Sequence, residues 1–191
     1  NANQEFSVSA PNSTFCILPG DRINTEVVTA YLNERLRALL PENITVIDVS
    51  LRNEVRDSAV WFRYSHGLKK HNGNCQRITH GHRSRLEIYV DGIRDHALER
   101  EWVKRLDNIY IATREDLRRS SGGINEFSYR ADQGTFKLSL PKDRTYLVDC
   151  DTTIEEIAQT LANAVASDMS DKNIKVIAWE GVDKGAIGVA N

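Results

Sequence analysis

The stretch HNGNCQRITHGHRSRL, residues 71–86, gathers a cysteine, Cys75, and two histidines one residue apart, His80 and His82, among basic neighbours. Residues two apart on a strand point to one face, so His80 and His82 would project together, with α-carbons about 6.6 Å apart. That spacing suits one shared metal ion, and Gly81 between them puts no side chain on the opposite face. Upstream, AVWFRYSH from Ala59 alternates as a strand with Phe62, Tyr64 and His66 on one side. Pairing the two strands brings a third imidazole to the same place. Three protein ligands leave a fourth position for water or substrate, which is the catalytic arrangement of zinc and not the closed structural one. Taken singly, each histidine reads better as an exposed loop residue or a satisfied core residue. The set of His66, His80 and His82 points to Zn2+.

The connection from Gly67 to Thr79 is long for a hairpin loop, and long ordered loops tend to carry function. A thiol there, beside a cation and Arg77, would have a lowered pKa and serve as base or nucleophile. The alternative, a buried inert cysteine, suits the polar setting HNGNCQR poorly. Lys69, Lys70, Arg77, Arg83 and Arg85 crowd the same region. Such a run is most often a solvated face, though beside a metal it would also hold a phosphorylated substrate. Farther on, Ile174, Val176, Ala178 and Glu180 alternate on one strand face, so a carboxylate ends an apolar row. It needs a donor, either a ligand with adjacent N–H groups or a structural salt bridge.

Elements must hold these side chains in place. A strand covers SRLEIYV from Ser84, continuing the histidine face through Ser84, Leu86, Ile88 and Val90. Leu98, Trp102, Leu106 and Ile109 follow helical spacing, which predicts a helix from Leu98 to Arg119. The chain also repeats itself: FSVSAPNSTFCILPGDR from Phe6 aligns with FSYRADQGTFKLSLPKDR from Phe127. A helix signal follows each copy, at Thr25-Glu26 and at Thr153, and then a strand, NITVIDVS from Asn43 or NIKVIAWE from Asn173. GAIGV from Gly185 reads as a last strand. Residues 1–53 therefore read as the back half of a duplicated module and residues 54–191 as a whole one. The class is α+β, an antiparallel sheet with helices on one face.

At 191 residues, with 40% hydrophobic and 27% charged side chains, the chain is an ordinary globular protein. A net charge of -2 offers no field for nucleic acid. No run approaches a membrane span and no signal segment opens the chain, which leads to the expectation of a soluble, cytoplasmic protein. Asn1, not Met, stands first, as expected of a processed or truncated piece. Three widely spaced cysteines, Cys16, Cys75 and Cys150, make a poor disulfide framework and read as reduced thiols.

The Phe62-x-x-x-His66 strand, Cys75 and the His80-Gly81-His82 strand opening together resemble the 6-pyruvoyl-tetrahydropterin synthase and 6-carboxytetrahydropterin synthase family, over roughly residues 58 to 189. HGHRSRLEIYVDG is especially close to the bacterial enzymes. Leu106-Asp107 falls where the family has Leu-Asp-His, Thr153 with Glu155 resembles its Thr-x-Glu helix start, and Glu180 matches its pterin-anchoring glutamate. The resemblance implies the tunnelling fold and a zinc lyase acting on 7,8-dihydroneopterin triphosphate, with loss of triphosphate, in the manner of the queuosine-biosynthesis enzymes. It assigns proton transfer to Cys75 and Asp107, substrate binding to Glu180 and Thr153, and zinc to His66, His80 and His82. It also implies a homo-oligomer with active sites at subunit interfaces. Asn108 departs from the pattern by standing where the family has histidine, and an amide is neither acid nor base near neutral pH. His71 and His96 do not match the motif. In the leading copy Ser50 aligns with Glu180, so the pterin site belongs to the second module and the first is expected to be scaffold. A binder of zinc and a pterin or purine-like ring that lacks the proton relay is the second reading, and a structural zinc module the third.

Overall fold

The computed structural model describes residues 5–52 and 60–191, so the expected module boundary at residues 53 and 54, and Ala59, lie outside the described residues. In chain order the elements are β1 (Ser7–Ser9), α1 (Thr25–Arg37), β2 (Trp61–His66), β3 (His80–Val90), β4 (Ile93–Arg94), α2 (His96–Leu106), β5 (Ile109–Thr113), β6 (Leu117–Ser121), β7 (Ile124–Ala131), β8 (Gly134–Pro141), β9 (Thr145–Val148), α3 (Ile154–Ser167), β10 (Ile174–Trp179) and β11 (Gly185–Ala190). They fall into two compact units, which among the described residues are 5–14 with 60–191, and 15–52.

In the larger unit a seven-stranded sheet runs β11-β10-β3-β2-β5-β9 with β4 beside β3, and a four-stranded sheet runs β1-β8-β7-β6. The first sheet is antiparallel through β11, β10, β3 and β2, as the hairpin pattern predicts. Beyond β2 it turns parallel, β5 pairing with β2 and with β9. The sheet is therefore mixed, not antiparallel throughout.

That difference follows from the end of α2. Helical spacing predicts a helix to Arg119, but the helix stops at Leu106, with Asp107 as C-cap. Asn108 then takes a left-handed φ of 61°, which an amide side chain tolerates better than most. The next residues, Ile-Tyr-Ile-Ala-Thr, are buried without exception and form β5. Ile109 fits both periods. A short, fully buried, β-branched run goes to a sheet interior where both faces are covered.

Helices α2 and α3 pack on one face of the β2-β3-β10 sheet. Asp95 caps α2 by accepting from Ala97 and Leu98 amides, and Thr153 caps α3 by accepting from Glu156. Phe62, Leu86, Ile88, Val176 and Ala178 from the strands meet Trp102 and Leu106 of α2 and Ile157, Leu161 and Val165 of α3 in one buried cluster. Each such side chain contributes about 1.5–3 kcal/mol of burial. Gly188 on β11 makes the α3 contact possible, since a Cβ there would lie 2.2 Å from the Ala158 carbonyl oxygen. A second cluster joins Tyr110 and Ala112 to Phe127, Tyr129, Phe136 and Leu138.

The smaller unit holds α1, capped by Asn24 accepting from Val27, with no buried residue. NITVIDVS forms no strand, contrary to the repeat's prediction, and Val46 is 82% exposed. Its counterpart β10 is flanked by β3 and β11. Among the described residues no ladder partner flanks 43–50, and a strand has no separate existence without one.

Candidate metal centre

Sheet register sets the site. In the β2–β3 ladder His66 stands opposite His80 and Tyr64 opposite His82. The expected strand face is observed, with Ser84, Leu86 and Ile88 buried in line with His80 and His82. The β3–β10 ladder ends with Ala178 opposite Leu86. Beyond it Ser84 donates its hydroxyl to the Trp179 carbonyl, and the Gly181 amide donates to the Arg83 carbonyl at 3.3 Å. Those two bonds hold Glu180 against the histidines.

One potential ligand atom from each of His66, His80, His82 and Glu180 lies within 4.8 Å of the others. His66 is fully buried. Its Nδ1 lies 2.7 Å from the Thr152 carbonyl oxygen, which can only accept. The ring proton is therefore on Nδ1, and the Nε2 lone pair faces the cluster. His82 Nε2 lies 3.1 Å from His66 Nε2 and 3.0 Å from Glu180 Oε1. Two acceptors thus converge on a single N–H. Moving that proton to His82 Nδ1 frees another lone pair at the same point, which is where a cation fits.

The electrostatics prepare these groups to bind. Burial, helped by His82, pushes the His66 pKa down to about 3. Burial likewise lowers that of His80. Glu180 is held down to about 2 by the hydrogen bond from His82, and by Lys184, against the burial that would raise it. Lys184 Nζ lies 2.6 Å from Glu180 Oε2. Neutral imidazoles at His66 and His80, with an ionised carboxylate, suit the donor set that a divalent ion requires. The residues present fit a metal ion.

Other expected site residues are placed differently. Cys75 is half-buried on the short turn Gly73–Gln76 and is not in the four-residue ligand group. Thr153 is the α3 cap. Asp107 accepts from the Arg63 amide at 2.9 Å and from its guanidinium at 3.3 and 3.1 Å. Arg63's hydrogen bond keeps the Asp107 carboxyl below its ordinary range. Asn108 donates to Asp107 at 2.8 Å. Strand alternation turns Arg63 and Ser65 away from His66. Asn108 and Ser65 line a cavity of about 460 Å³ on that opposite face. Within one chain the Asp107–Asn108 pair and the histidines are therefore separate.

Sequence reading missed Thr152 and Lys184. Lys184 was within reach of it, because the β10–β11 hairpin brings the Glu180 amide to the Lys184 carbonyl at 2.7 Å. Thr152 had no signal, lying 86 positions from His66.

A sequence model described as 6-pyruvoyl tetrahydropterin synthase matches residues 57–187. The chain belongs to the 6-pyruvoyl tetrahydropterin synthase family. The matched span includes His66, Cys75, His80, His82, Asp107, Thr153 and Glu180, and stops short of the leading segment. Membership supports a tetrahydropterin-synthase-like function for the cluster. No curated protein and no solved structure gives a significant match to this chain.

Proposed function

We propose that this family member is a zinc enzyme of the 6-carboxytetrahydropterin synthase type, a carbon–oxygen lyase that takes 7,8-dihydroneopterin triphosphate and eliminates triphosphate. The observation that carries the reading is the convergence of His66, His80, His82 and Glu180. His66, His80 and His82 would hold Zn2+, which supplies Lewis-acid polarisation of substrate oxygens when bound. With His82 Nε2 committed to an ion, Glu180 Oε1 loses its donor and is left to accept from the N–H edge of a pterin ring. Lys184 keeps Glu180 ionised for that role. Cys75, on the turn between β2 and β3, is the residue proposed to move a proton at the substrate side chain. Asp107 would join a site only across a subunit boundary, in keeping with the resemblance to oligomeric enzymes. Residues 1–53 are proposed as scaffold in that assembly.

A specific observation favours a second reading, a protein that binds zinc and a pterin or purine-like ligand without turnover. Asn108 gives its amide to Asp107, and Arg63 occupies both Asp107 oxygens, so no free acid–base pair is present there. Purified zinc-loaded protein is to be assayed with 7,8-dihydroneopterin triphosphate beside His80→Ala. Turnover that vanishes in the variant supports the enzyme. Metal and pterin binding without turnover supports the binder, and absence of pterin binding contradicts both.

A further inference from the structure

Tyr64 stands between the hydrophobic core and the cluster. It is 3% exposed, and its ring lies 5.3 Å from that of His66, 5.4 Å from that of His82 and 5.7 Å from that of Phe62. The phenolic oxygen is buried and has no hydrogen-bond partner among the described residues. Buried tyrosine hydroxyls nearly always find one, because an unmade bond costs about 1–3 kcal/mol. A phenylalanine would fill the same core position without that cost. Phe62, one step back along the same face, shows that an aromatic ring suffices for packing.

We propose that Tyr64 is a positioning residue whose hydroxyl donates a hydrogen bond to an oxygen or nitrogen atom of a small ligand seated beside His66, His82 and Glu180. The inference rests on the preceding reading only in placing a ligand at the cluster. It adds that the partner missing from the protein is supplied by the ligand, so that Tyr64 selects for an acceptor at that point. A ligand lacking the acceptor would leave the hydroxyl unmatched and bind less well.

The test uses the full chain loaded with cobalt, whose visible spectrum reports ligand entry, in wild-type and Tyr64→Phe forms. Azide is titrated first and 7,8-dihydroneopterin second, with metal content and melting temperature measured on each protein. The expected result is unchanged metal content, an unchanged or raised melting temperature without ligand, and about tenfold weaker azide binding in Tyr64→Phe, the loss of one hydrogen bond. Equal azide affinities overturn the proposal, as does a lower melting temperature in the ligand-free variant, which would mean that the hydroxyl has a partner inside the protein. Wild-type protein that binds azide but not the pterin contradicts the pterin reading alone, and the azide comparison still decides the role of Tyr64.

Discussion

Acid should unfold the metal-free protein through His66. Its ring is wholly buried and its pKa is lowered from the ordinary 6.5 to about 3. Above pH 6.5 both folded and unfolded chains carry it neutral and the position is silent. Below pH 6.5 the unfolded chain takes up a proton there and the folded chain does not until near pH 3, so stability falls as pH falls. At about 1.4 kcal/mol for each pH unit, the whole interval amounts to about 5 kcal/mol. That is a large part of the total stability of a domain, about 5–15 kcal/mol. Urea unfolding of chelator-treated protein at pH 7.5, 6, 5 and 4 should be compared with His66→Gln, which cannot titrate. Between pH 6 and 4 the wild type should lose about 3 kcal/mol more than the variant. Parallel curves would show that His66 is not a buried neutral imidazole, and the orientation inferred from Thr152 would fall with it.

Two further outcomes follow from particular contacts. Gly188→Ala sets a methyl group against the α3 backbone at Ala158 and Gln159, which cannot yield as a side chain would. It should cost about 1–3 kcal/mol in urea unfolding, whereas Gly81→Ala, whose Cβ would meet nothing nearer than the Tyr64 carbonyl oxygen at 3.8 Å, should not show that clash. Asn108→His, at the position where the resemblance places a histidine, should raise pterin turnover by about a hundredfold if a missing proton relay limits it. A steady-state assay showing no gain would put the limit elsewhere.

What was legible in the sequence was periodic or local. Alternation puts His80 and His82 on one face of β3 and His66 on one face of β2, and the expected pairing of the two strands joins them. The caps at Thr153 and the apolar stripe behind it located α3 in the same way. Helical spacing from Leu98 runs past the true end of α2 because Ile109 satisfies that spacing and also opens a buried strand. The NITVIDVS strand failed for a different reason: its pattern matches β10, but pairing depends on neighbours that the pattern does not contain. At the site, Glu180 was foreseen as a carboxylate needing a donor, yet the donors, His82 and Lys184, emerged only from the fold. Thr152 orients His66 with a main-chain carbonyl, and a backbone atom carries no signature in residue type.

X-ray absorption at the zinc edge, on protein loaded with one equivalent of zinc, addresses the central claim most directly. The account predicts a single bound ion with three imidazole ligands, completed by oxygen or nitrogen donors, and loss of stoichiometric binding in His82→Ala. A sulfur ligand from Cys75, or fewer than three imidazoles, would contradict it.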